Sequence, residues 1–342
     1  MEKDKDMNRR CFLKVGGSVL VGALFAGGAG HHLWKMVTRP EELFFDHEEM
    51  KRAEAKQAME GYVSPYRLTY GFEMPDAIQA MDVMEDGVLV LCTSNNIWLY
   101  GLDGSLKHNF PVRSDVRDLA IYGHHIYLLY PSRIEVYDTA GEQTRAWRAC
   151  SEDADYCFMT VFEQGVYVTD ASAKNVCHYD LEGSLKGFIQ SPSGFIVPSY
   201  SFGITHLGSD VFCSNPGRHC VEQYTADGEF VRSFGESGTG AGAFSGCCNP
   251  VRLATTATGE LLTSEKGIPR ISCYSTEGKF RSILLDSKAL GGGHAAYDMR
   301  VYDDKLVVAG GKKVSVFQYD ERRAEGTLCG RCDVDCPMKV YA

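Results

Sequence analysis

Short runs of alternating apolar and polar residues, closed by Gly, Asp or Asn, fill the chain from about residue 62 to residue 320. That alternation marks strands buried on one face. The stretch VEQYTADGEFVRSFGESGTGAGAFSGCCNPVRLATTATGELLTSEKG, residues 221–267, carries it most fully. It predicts a strand ending in Tyr224, a turn closing on Gly228 and a second strand over 230–234. A glycine-rich loop follows, then two strands, 251–255 and 260–264, around a Thr-Gly turn. Nothing in the stretch has the length or the 3.6-residue period of a helix.

One motif recurs: an apolar residue, an aromatic three positions on, and a glycine four after that. The copies are Ile97/Tyr100/Gly104, Ile134/Tyr137/Gly141, Val176/Tyr179/Gly183, Val221/Tyr224/Gly228 and Ile271/Tyr274/Gly278. A sixth, Val314/Phe317, lacks the glycine. Successive aromatics lie 37, 42, 45, 50 and 43 residues apart. A period near forty with four strands per unit is the signature of a β-propeller. One small twisted sheet cannot bury its faces alone, so each packs on its neighbours until the ring closes. The copies therefore predict an all-β, six-bladed β-propeller, with blades near 75–112, 115–149, 155–190, 198–235, 248–285 and 294–320. The sixth copy runs out of strands after residue 319, so a strand within 62–72 is expected to complete that blade and close the ring.

The run FGESGTGAGAFSGCCNP, followed by a hairpin and RISCYSTEGKF, resembles the NHL repeat of bacterial six-bladed propellers. The resemblance is close in the fifth blade and looser elsewhere. It implies the fold and not the chemistry, since this architecture hosts binding modules and enzymes alike.

Outside the repeat, residues 8–14 read NRRCFLK and an uncharged Gly-, Ala-, Val- and Leu-rich stretch runs from 15 to 30. A charged lead and a short apolar core make an export signal. Arg9 and Arg10 with Phe12-Leu13-Lys14 resemble a twin-arginine (Tat) signal, the address of proteins exported already folded; an ordinary secretory signal or an uncleaved anchor is the alternative. The organisation expected is a signal or membrane anchor over 1–30, a linker helix over 31–61, the propeller over 62–320 and a Cys-rich tail over 321–342. The expected location is the periplasm, free or anchored to the inner membrane through the N-terminal segment. A net charge of −10 and a pI near 5.5 argue against a nucleic-acid partner, which needs a basic face.

Three places carry candidate chemistry. Aligning the blades puts Cys92, Tyr130, Asp170, Asn215, Glu265 and Gly310 at the ends of the second strands, expected to ring one mouth of the channel. Asp170, Asn215 and Glu265 offer oxygen ligands for a divalent cation, as in metal-dependent lactonases and lyases of this architecture; the plainer reading is that they satisfy turns. The second place is Cys247-Cys248-Asn249-Pro250, with Lys266 nearby and His294 opening the next blade. Adjacent thiols suit a soft metal or a vicinal disulfide, and a lysine beside them favours thiolate; packed thiols in a tight loop are the plainer reading. The third is the tail, where Cys329, Cys332 and Cys336-Pro337 resemble the end of a ferredoxin cluster run whose first cysteine would fall at Gly326. Three thiolates there suit an iron–sulfur cluster or Zn²⁺ with a fourth ligand from elsewhere, or else disulfides. Cys150 with Cys157, and Cys213 with Cys220, are candidate disulfide pairs.

No Gly-x-Ser-x-Gly, P-loop or HExxH signature occurs. The function expected is therefore an exported, monomeric module binding a protein or small-molecule ligand, with a redox accessory variant. A metal-dependent hydrolase or lyase acting at the channel mouth is the alternative.

Overall fold

The computed structural model describes residues 63–200, 202–292 and 296–324. The signal, the linker helix, His294 and the tail cysteines lie outside them. The described chain forms six four-stranded antiparallel sheets. Their innermost strands neighbour one another in cyclic order around a central axis. These are Ala80–Val83, Asp118–Tyr122, Tyr156–Phe162, Ile204–Leu207, Arg252–Thr255 and Asp298–Tyr302, opening blades 1 to 6. Six apolar cores, one between each pair of neighbouring blades, complete the circuit from blade 1 back to blade 1. Burial falls outward along each sheet. The second strand of blade 1, Val88–Cys92, is buried throughout, whereas its fourth, Leu106–Pro111, keeps only Phe110 buried.

The recurring glycine has two physical causes. Gly104, Gly141, Gly183, Gly228 and Gly278 close the turn between the third and fourth strands of blades 1 to 5 with φ between 81° and 93°. That left-handed conformation suits a residue without Cβ. Each glycine also lies against a side chain from the fourth strand of the preceding blade: Tyr70, Phe110, Trp147, Ile189 and Phe234 in turn. A Cβ on Gly183 would sit 2.5 Å from the Trp147 ring. The repeat is thus an inter-blade joint as well as a turn.

The sixth copy has no glycine because it has no turn to make. The third strand of blade 6, Lys313–Tyr319, pairs with Tyr66–Glu73, from Tyr66 opposite Tyr319 to Glu73 opposite Lys313. The expected closure by an N-terminal strand is found. Among the described residues no helix is long and apolar enough to cross a membrane.

Candidate functional site

Cys92, Tyr130, Asp170, Asn215, Glu265 and Gly310 end the six second strands, as the alignment required. They do not line the channel. The first strand of each blade faces the axis, and the second stands one row behind it. Asp170, Asn215 and Glu265 are almost wholly buried, and each clasps the loop that leads into its own blade. Asp170 Oδ1 accepts the N–H groups of Asp155, Ser172 and Ala173. Asn215 Oδ1 accepts Ile196 N–H, while its Nδ2 donates to Gly194 O and to Glu222 Oε1. Glu265 is held by the Arg270 guanidinium at 2.6 and 3.0 Å, and Arg270 continues to the carbonyls of Thr239 and Ala243 in the glycine-rich loop. Burial raises the Glu265 carboxyl above the usual range, against the pull of Arg270. The oxygens proposed as cation ligands thus close three separate blades. Among the described residues no group of three or more His, Cys, Asp and Glu side chains is arranged to hold a metal ion.

The axis itself carries a charge network that the sequence reading missed. Asp298 Oδ2 accepts Met81 N–H at 2.9 Å, Asp82 Oδ2 accepts Ile121 N–H at 2.8 Å, and Asp118 Oδ2 accepts Met159 N–H at 2.9 Å. Each aspartate takes a backbone donor from the next blade round, stitching innermost strand to innermost strand. Arg300 pairs with Asp82 and Asp298 at 2.8 and 3.1 Å. Arg252, on blade 5, crosses the axis. It reaches Asp118 on blade 2 at 3.0 Å, Asp298 on blade 6 at 3.1 Å and Gln79 O beside blade 1 at 2.9 Å. Its guanidinium lies 4.7 Å from the centre of the Phe158 ring on blade 3. One side chain therefore ties five blades together. Burial pushes the Asp118 carboxyl up to about 6, with Arg252 pulling it back and Asp298 adding to the rise. On blade 4, His206 Nδ1 and Thr160 Oγ1 share a hydrogen bond of 2.7 Å, and the ring stacks on Phe162 at 4.4 Å. Desolvation pushes this imidazole down to about 4. A signal was present: DLAIY (118–122) and DMRVY (298–302) both begin with an aspartate, and the second carries Arg300 two positions on.

The loops joining one blade to the next all emerge on the face where the second strands end. They are unequal. Residues 74–79, 112–117 and 149–155 make short links, whereas 190–203, 235–251 and 286–297 make long ones into blades 4, 5 and 6. The long links are consecutive and so fall on one half of the rim. Cys247 and Cys248 sit here with Sγ atoms 3.2 Å apart, both as free thiols, the first exposed and the second buried. Cys248 Sγ lies 3.7 Å from Ser199 Oγ of the neighbouring long loop. Asn249 fixes the loop by donating to Ser245 O and Lys266 O and accepting Lys266 N–H. Lys266 does not dominate the Cys247 thiol. The hydrogen bond with Cys248 holds it above its ordinary value, and the pull of Lys266 is the smaller effect.

The other cysteine pairs differ from expectation. Cys213 stands opposite Glu222 and Cys220 opposite Asn215, so the two thiols are offset by two positions in the register. Cys157 packs between blades 3 and 4, on the far side of blade 3 from the core between blades 2 and 3. Cys150 Sγ instead lies 3.5 Å from Cys177 Sγ.

No protein-family profile matches the chain. No curated protein matches it by sequence. Among solved structures it is similar to a streptogramin B lyase, at 12% identity and a TM-score of 0.56 over 76% of this chain and 100% of that one. It is similar to virginiamycin B lyase from Staphylococcus aureus at 14% identity and a TM-score of 0.51, covering 74% and 99%. A protein of unknown function from Bacteroides thetaiotaomicron matches at 12% identity and 0.53, covering 75% and 73%. At such identities the likeness is one of fold. With the closed ring of six sheets, it makes this chain a six-bladed β-propeller protein.

Proposed function

We propose that the protein is a binding module that engages a protein or small-molecule ligand on the half-rim formed by the described residues of the links into blades 4, 5 and 6, namely 190–200, 202–203, 235–251, 286–292 and 296–297. The observation that supports this most is the asymmetry of that rim. A ring locked by buried charge pairs carries three consecutive long loops on one side, with Ile196 and Cys247 exposed on them. Variable loops on a rigid scaffold are where propellers recognise partners. A photo-crosslinker at Ile196 or Cys247 is expected to capture a partner in cells, and one at Gly123 on the opposite face is not. Equal capture from both positions would sink the reading.

The alternative, a metal-dependent lyase or hydrolase, draws on the fold shared with a virginiamycin B lyase, a catalytically inactive variant of which was crystallised with quinupristin. It is disfavoured by the engagement of Glu265 with Arg270 and of Asp170 and Asn215 with loop backbone. Incubation with quinupristin and a divalent cation is expected to leave the compound intact; consumption that Glu265→Gln abolishes would reinstate the enzyme.

The NHL resemblance, Tat export on Arg9-Arg10 and a redox role for Cys329, Cys332 and Cys336 remain parts of the proposal carried by sequence. Export is checked by replacing both arginines with lysine and following the protein into the periplasm. The cluster is checked by iron content and visible absorption of the anaerobically purified full chain.

A further inference from the structure

We propose that Cys150 and Cys177 are an oxidisable dithiol that closes to a disulfide by exchange with a low-molecular-weight disulfide such as oxidised glutathione, locking the loop between blades 2 and 3 onto blade 3.

Three observations carry this. The two sulfurs are in van der Waals contact at 3.5 Å although 27 positions separate them in the chain. Their exposure is opposite: Cys150 is at the surface, while Cys177 is fully buried in the core between blades 2 and 3. Cys150 also belongs to a segment, 150–153, that is exposed throughout, so its sulfur can close the remaining gap without disturbing a strand. Tyr156 links the two neighbourhoods. Its hydroxyl accepts Cys150 N–H at 3.3 Å, approaches Cys150 Sγ at 3.8 Å and shares a hydrogen bond with the Tyr179 hydroxyl.

The accessibility difference sets the order of events. Cys150 loses its proton and attacks one sulfur of the small disulfide, forming a mixed disulfide and releasing the first thiolate, which takes up that proton. Cys177, whose thiol burial holds well above its ordinary range, is inert to reagents in solution but already touches the Cys150 sulfur. It loses its proton and attacks that sulfur, and the second small thiolate leaves and is protonated. Two protein thiols and one disulfide become one protein disulfide and two small thiols. The product ties the loop that Asp170 clasps through Asp155 N–H to the third strand of the same blade, beside the face that carries the long loops.

The test is to treat the folded full chain with oxidised glutathione, block remaining thiols, digest without reduction and map the products by mass. The wild type is expected to give a cross-linked pair of peptides joined through Cys150 and Cys177, two hydrogens lighter than the reduced pair. Cys150→Ser, at an exposed position, abolishes it, and Cys177→Ala leaves Cys150 as a lasting glutathione adduct. A wild-type protein in which Cys150 stays as the mixed disulfide, or joins another cysteine, overturns the proposal. This readout is independent of the crosslinking at the rim, so either reading can fail alone.

Discussion

Arg252 is the residue on which the axis turns, because its guanidinium answers two carboxylates from two different blades, one of them across the ring. Removing one partner of a buried ionic group leaves the others charged in a poorly solvated place, at a cost of about 3–5 kcal/mol. Arg252→Met is therefore expected to lower the urea midpoint by that equivalent, and Arg252→Lys to recover part of it. His206 makes a pH prediction. Its neutral form is favoured in the folded ring, so its contribution is complete above about 6.5 and declines as pH falls towards about 4. Asp118 runs the other way, contributing fully near pH 4 and losing that contribution as pH rises through about 6. Because the two oppose each other, the wild type is expected to change little between pH 6.5 and 4, whereas His206→Gln, left with the Asp118 contribution alone, should gain roughly 2 kcal/mol over that fall in pH, read by urea unfolding at each pH. None of these partners was legible in the sequence. The Asp118–Arg252 pair spans 134 positions and the Asp82–Arg300 pair 218, and no local pattern encodes which inner strands meet.

The turn between third and fourth strands was legible, because its requirement is local. An aromatic and then a left-handed glycine are written five times within seven residues of an apolar position. Asp138 Oδ1 and Asp180 Oδ1 each accept two backbone N–H groups in this turn, and Thr225 and Ser275 each accept one through their hydroxyls. The second requirement, the neighbouring blade's side chain against the glycine, became visible only in three dimensions. Gly183→Ala meets both obstacles, whereas a Cβ on Gly123, at φ 59°, meets nothing within 4 Å. Thermal or urea unfolding should thus show a loss of about 1 kcal/mol for Gly123→Ala and about 2–4 kcal/mol for Gly183→Ala. The ring of second-strand ends misled for the opposite reason. Alignment gives equivalent positions but not the direction in which they face, and these face the loops.

At the scale of the molecule, period and closure followed from counting, since six units and five complete turns leave one strand to be supplied from the front. Deleting 1–73 removes Tyr66–Glu73 and bares the backbone of Lys313–Tyr319 as an open edge, so aggregation on size exclusion is the expected result. The long links into blades 4 and 5 leave a trace in the spacings of 45 and 50 residues before Tyr224 and Tyr274. The one into blade 6, at 43, does not stand out from the 42 before Tyr179, and that the three share one half of the rim needed the cyclic order of the sheets. The hydrogen bond that the Thr69 hydroxyl donates to Val316 O, 247 positions on, has a consequence for biosynthesis. Tyr66–Glu73 must wait on the ribosome, unmated, until Lys313–Tyr319 has emerged. A chain cut before Lys313 would yield a horseshoe with two sticky rims, inclined to link with its fellows end to end.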